Sequence, residues 1–161
     1  MKNQSLSIEE EVSKLLINQK LNIAVAESCT GGMVSARLIN YPGISKVFIE
    51  GCVTYSNESK IKRLGVKKET LDEFGAVSEQ TAIEMAQGIA KGFDTNVGLS
   101  TTGIAGPDGA SEEKPVGLVY IGIYINGKTL VYKNIFKGDR SSIREQTVNE
   151  ILNKLKLNLE G

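Results

Sequence analysis

A chain of 161 residues without a single histidine cannot build a Ser-His-Asp triad, a Cys-His pair or a metal site that needs imidazole. Its 19 basic and 19 acidic residues cancel, leaving no global field to hold a nucleic acid or an anionic membrane surface. The length suits a single domain over residues 1–161, and any general base in it must be a carboxylate, a lysine or a tyrosinate.

The amino-terminal stretch from Met1 to Leu16 is charged and amphipathic and lacks the apolar centre of a signal peptide. The longest apolar runs are strand-sized, so a cytoplasmic protein without a membrane span is expected. Ser7 and Glu10 form a capping box that starts a helix running to about Gln19, with Val12, Leu15 and Leu16 at helical spacing. Ile23 to Ala26 is a short apolar run of the kind buried on both faces of a sheet. It ends at Glu27-Ser28-Cys29-Thr30-Gly31-Gly32, and Met33 to Ile39 then reads as a helix.

After Tyr41-Pro42-Gly43, the latter half of Lys46 to Tyr55 reads as a strand and Asn57 to Leu64 as a short helix, with Ser56 as N-cap and Gly65 at C′. Glu69 to Phe74 adds a helical turn before Gly75, and Ser78 caps a long helix from Glu79 to Gly92. Its apolar side carries Ala82, Met85, Ala86 and Ile89. Asn96 to Thr101 is a third strand, leading into a loop from Thr102 to Gly109. Val116 to Tyr124 and Lys128 to Phe136 form a hairpin around Asn126-Gly127, and a last helix runs from the Gly138–Arg144 region to about Leu157. The order implies a three-layer α/β/α sandwich with a mixed, mainly parallel five-stranded sheet and a C-terminal β-hairpin. Apolar β surface in so small a domain suggests a homodimer.

In an open α/β sheet, ligands bind beyond the carboxyl ends of the strands, where three polar segments of this chain emerge. Ser28 stands where a strand gives way to a helix, so its hydroxyl can attack a carbonyl while the amides of the turn receive the oxyanion. Gly31 and Gly32 would let a substrate approach the backbone. On the local pattern alone, Ser28 or Thr30 reads more readily as a plain helix cap. Lys60 can act as a base only if burial keeps it neutral; otherwise it is a solvated charge on a short helix. Tyr55 could donate to either group or relay a proton, or merely end a strand.

Cys29 competes with Ser28 as nucleophile but reads more readily as a small buried residue, and Cys52 reads as core. Both are expected as free thiols. Glu27 could contact sugar hydroxyls, orient Lys60, or be a satisfied turn carboxylate. Thr102, Gly103 and Gly106 belong to a loop that could cradle a ligand, although it matches no phosphate-binding pattern. Arg140 and Arg144 sit on the first turn of the last helix, where cations oppose the dipole unless an anion arrives. A nucleotide phosphate and plain solvation explain them equally well.

Together, AESCTGG (Ala26 to Gly32), VTYSNESK (Val53 to Lys60), GAVSEQT (Gly75 to Thr81), TGIAGPDGASEEKPVG (Thr102 to Gly117) and GDRSSIR (Gly138 to Arg144) resemble the CinA C-terminal domain family, in its order and spacing. Stand-alone members of that family are nicotinamide-nucleotide amidohydrolases. The resemblance implies hydrolysis of nicotinamide mononucleotide to nicotinate mononucleotide and ammonia, in pyridine nucleotide salvage, with no metal or other cofactor. It places the nucleophile at Ser28 and the lysine at Lys60, and site-lining roles at Tyr55, Thr30, Thr102 and Arg140. The implied partner is a small pyridine mononucleotide, neither nucleic acid nor membrane. What the amino-terminal domain of longer members does is not carried over. The rival reading is a non-catalytic module that binds a nucleotide or a partner through the same loops.

Overall fold

The computed structural model describes residues 4–161; the first three residues of the charged amino-terminal stretch lie outside the described residues. Among the described residues, six helices and five strands follow in chain order as α1 (Ile8–Gln19), β1 (Ile23–Glu27), α2 (Met33–Ile39), β2 (Phe48–Val53), α3 (Asn57–Leu64), α4 (Lys68–Phe74), α5 (Glu79–Phe93), β3 (Val97–Gly103), β4 (Leu118–Ile125), β5 (Lys128–Ile135) and α6 (Arg140–Glu160). A single 3₁₀ turn, Ile44–Lys46, leads into β2. Among the described residues, no helix is long and apolar enough to cross a membrane.

The sheet order is β2-β1-β3-β4-β5. The first three strands are parallel, because helical crossovers join them. The loop after β3 returns the chain antiparallel along it as β4, and the β4–β5 hairpin makes the last pairing antiparallel as well. Its turn has positive φ at both Asn126 and Gly127, the conformation that a two-residue connection needs to match strand twist. Every residue of β1 is buried, with alternate side chains entering opposite layers. Ile23 and Val25 join the larger core with Val12 and Leu16 of α1, Val34 and Leu38 of α2 and Ile151, Leu152 and Leu155 of α6. Ala24 and Ala26 face Leu64 of α3, Leu71 of α4 and Met85 and Ile89 of α5. The result is the expected three-layer sandwich.

The boundaries differ where tertiary pairing overrides local preference. β3 continues to Gly103 because Val119 of β4 pairs with it there. β4 starts two residues later than expected, because the amide of Gly117 is taken by the carbonyl of Ile104. Cys52 is half-buried rather than core, because β2 is an edge strand.

Helix α5 lies unusually close to the sheet. A β-carbon on Gly98 would collide with the carbonyl oxygen of Ala86 and come within 2.8 Å of the Ala90 methyl. Gly98→Ala is therefore expected to destabilise the fold by about 1–3 kcal/mol, as overpacking does. Urea unfolding would measure this, and an unchanged midpoint would contradict the close packing.

Candidate active site

Because β1, β2 and β3 run in parallel and end together, with Glu27 paired to both Val53 and Thr101, the segments that follow them meet at one edge. They enclose a cavity of about 190 Å³ lined by Ser28, Cys29, Tyr55, Lys60, Ala76, Val77, Thr102, Gly103, Ala105 and Arg140. That is smaller than the roughly 300–1,000 Å³ of sites that engulf a whole drug-sized ligand, so only part of a nucleotide would be enclosed.

The central contact is between Ser28 and Lys60. Ser56 caps α3, and the helix then turns Lys60 inward one turn before the buried Leu64. Lys60 is fully buried. Its Nζ lies 3.1 Å from Ser28 Oγ, 2.8 Å from the carbonyl oxygen of Thr54 and 3.0 Å from that of Tyr55. No carboxylate pairs with it among the described residues. Burial therefore lowers its pKa from the ordinary 10.5 to about 8. A neutral amine has two N–H bonds and one lone pair. Two carbonyls can only accept, so they take both hydrogens and turn the lone pair toward the Ser28 hydroxyl. After accepting that proton, the ammonium has three donors for the same three oxygens. Both protonation states are satisfied without rearrangement.

Cys29 lines the cavity, but burial pushes its thiol up to about 11, so it stays protonated and does not compete as a thiolate nucleophile. Glu27 is neither a sugar contact nor a partner of Lys60; it is the satisfied turn carboxylate. It is fully buried, and its oxygens accept from the Thr30 hydroxyl at 2.6 Å, the Val34 amide at 2.8 Å, and the Ser35 amide and hydroxyl at 3.0 and 2.8 Å. It thus caps α2, whose own N-cap is Gly32 with no side chain to offer. Ser28 correspondingly stands five residues ahead of α2 rather than in its first turn, with a tight turn from Ser28 to Gly31 between.

Thr30 is buried beneath the turn rather than facing the cavity. Its hydroxyl hydrogen goes to Glu27, so the Thr101 hydroxyl, 2.8 Å away, donates to it. Gly31 and Gly32 do not line the cavity; their positive φ values of 58° and 104° bend the chain instead. The hydroxyl of Tyr55 reaches neither Ser28 nor Lys60. It lies 3.5 Å from Nη2 of Arg140, while its carbonyl is what holds Lys60.

Thr102 does line the cavity, and its hydroxyl donates to the Ala76 carbonyl at 2.7 Å. Gly103 forms part of the wall, and the Gly106 carbonyl accepts from Arg140 Nη1 at 2.8 Å. Arg140 is an exposed cation at the rim. Arg144, in the second turn of α6 rather than the first, is engaged elsewhere: Nε donates to the Cys29 carbonyl at 3.0 Å and Nη2 to the Thr30 carbonyl at 3.1 Å. Sequence reasoning missed the carbonyls of Thr54 and Tyr55, since main-chain acceptors have no signature. It also missed the wall at Ala76 and Val77, although GAVSEQT had been singled out as a motif. Among the described residues, no three His, Cys, Asp or Glu side chains converge as metal ligands would.

Fold and site define an α/β sandwich protein with a serine against a dehydrated lysine at the ends of three parallel strands. The chain belongs to the CinA C-terminal domain family, whose sequence profile matches residues 5–159. It is 69% identical over 154 residues to a protein provisionally named competence-damage inducible from Clostridioides difficile (strain 630), covering 96% of this chain and 37% of that one. A similarly named protein of Clostridium perfringens (strain 13 / Type A) is 61% identical over 155 residues, 96% of this chain and 38% of its own length. The chain thus spans little more than a third of the curated relatives it matches. Among solved structures, the competence/damage inducible protein CihA from Agrobacterium tumefaciens superposes with a TM-score of 0.89 at 40% identity, over 98% of this chain and all of that one. A CinA superfamily protein from Klebsiella pneumoniae 700603 gives 0.92 at 31% identity, over 95% and 96%.

Nuclear magnetic resonance of ¹⁵N-lysine protein should show Lys60 titrating near pH 8, and a value at the ordinary 10.5 would contradict its dehydration. Between about 8 and 10.5 the unfolded chain holds a proton that the folded chain has released, so this site's contribution to stability rises with pH across that window.

Proposed function

We propose that the chain hydrolyses a carboxamide through an acyl-enzyme on Ser28, with Lys60 as base and then acid, and that nicotinamide mononucleotide is the substrate. The observation that carries the reading is the 3.1 Å contact between Ser28 Oγ and a buried lysine with no carboxylate partner. Lys60 takes the hydroxyl proton as Oγ bonds to the carboxamide carbon, giving a tetrahedral oxyanion. The amide of Cys29, which immediately follows the nucleophile, belongs to the cavity wall and has no acceptor among the described residues, receives the negative charge. The Lys60 ammonium gives its proton to the departing nitrogen, the C–N bond breaks, and ammonia leaves. A water molecule then adds to the ester, losing a proton to Lys60, and collapse returns that proton to Ser28 as the acid is released.

Among the described residues the cavity wall carries no carboxylate, and Arg140 is its one permanent charge. A substrate with a cationic ring and an anionic phosphate fits on three counts. A neutral Lys60 does not repel the ring, the Tyr55 aromatic face can lie against it, and Arg140 at the rim can meet the phosphate. The positive ring also makes the carboxamide carbon more electrophilic.

Purified protein incubated with nicotinamide mononucleotide should release ammonia, and both Ser28→Ala and Lys60→Ala should abolish the release. Since the base must be neutral, kcat should rise with pH through an inflection near 8. No release above the Ser28→Ala control would leave a non-catalytic binding module, and a pH-independent rate would point to another base. Arg140→Ala should raise KM for the mononucleotide roughly 10-fold, the worth of a charge-assisted contact, with little change for the unphosphorylated nucleoside. Equal effects on the two would remove Arg140 from phosphate recognition.

A further inference from the structure

Arg144 is a half-buried guanidinium that forms no ion pair among the described residues, and the reaction outlined above does not use it. It comes from α6, 115 positions along the chain, and spends its fork on two consecutive carbonyls of the nucleophile turn. Gly31 makes room for it: a β-carbon there would lie 3.2 Å from Nη2. An arginine committed to main-chain carbonyls pulls electron density along the peptide groups it grips, and hydrogen-bonded peptides pass that polarisation on.

The paths it polarises end beside the nucleophile. The Cys29 carbonyl, bonded to Nε, belongs to the peptide group that carries the Thr30 N–H. The Thr30 carbonyl, bonded to Nη2, belongs to the group that carries the Gly31 N–H, and that amide donates to the Ser28 carbonyl at 3.2 Å. The Ser28 carbonyl in turn shares its peptide group with the Cys29 N–H. The second route therefore finishes at the amide of Cys29, which belongs to the cavity wall and has no acceptor among the described residues. We propose that Arg144 is a positioning residue for the reaction at Ser28, fixing the turn and polarising the peptide group whose Cys29 amide receives the oxyanion. This rests on the reading of Ser28 as the attacking group, and it adds a long-range electrostatic contribution from the last helix.

The kinetic test compares wild type, Arg144→Gln and Arg144→Lys on nicotinamide mononucleotide and on its thioamide analogue. Sulfur is a weak hydrogen-bond acceptor, so the thioamide draws little on that amide. Arg144→Gln should lower kcat on the amide on the order of 10-fold, a fraction of the loss from deleting an oxyanion donor, with KM almost unchanged. The loss on the thioamide should be several-fold smaller, and Arg144→Lys should recover part of the amide rate. A loss equal on both substrates would make Arg144 a structural brace only, and an unchanged kcat would remove it altogether.

A second measurement needs no substrate. In the unliganded protein, the Cys29 and Thr30 amide protons should move upfield in Arg144→Gln while those of α5 stay in place. Unmoved resonances would overturn the proposal. If wild type releases no ammonia while these shifts occur, the assigned activity fails and the polarisation stands.

Discussion

The site depends on one dehydrated amine. Lys60 is held at the floor of the cavity by two carbonyls that cannot donate and one hydroxyl that can do either. Its burial is made possible by packing elsewhere. One helical turn beyond it, Leu64 anchors α3 against Met85 and Ile89 of α5, in the layer that also contains the alanines of β1. The segment that supplies the two carbonyls is tied to the first strand by the Thr54 amide, which donates to the Glu27 carbonyl at 2.8 Å. A lysine on so short a helix would otherwise extend into water, keep its proton and be useless as a base.

The turn that presents Ser28 is held from two sides by opposite charges. Beneath it, the Glu27 carboxylate takes the place of the missing N-cap side chain of α2, with four donors around it. Behind it, Arg144 of α6 holds the carbonyls of the next two residues. Neither charge enters the cavity. Buried charges of this kind are costly unless every lone pair and hydrogen is used, and at Glu27 they are used. A tightly determined turn suits the nucleophile role proposed for Ser28, because small displacements of a reacting atom carry large rate penalties.

Electrostatically the cavity is one-sided. It contains a lysine whose charge is suppressed, a thiol that stays protonated, and an arginine at the rim. Above about pH 8 the floor is neutral and the edge cationic, which favours ligands whose reacting end is uncharged or positive and whose far end is anionic. In the proposed reaction, a lysine lowered to about 8 takes the part that an imidazole plays elsewhere.

The sequence by itself determined the layers and the hairpin, because each has a local cause. The capping box at Ser7 and Glu10, the Asn126-Gly127 turn and the unbroken apolar run of β1 act over a few residues and survive in any context. The absence of histidine, a fact of composition, reduced the candidate bases until Lys60 stood out. Only the tertiary structure decided what Glu27, Tyr55, Thr30 and Arg144 do, because their partners lie on other segments or are main-chain atoms with no residue identity. Glu27 could be a ligand contact or a cap until the amides of Val34 and Ser35 closed on it. Arg144 could bind a phosphate until the fold brought α6 against the first strand's turn, 115 residues away. Hydrogen-bond partners separated by that much chain are set by how the layers close, and no local pattern encodes them.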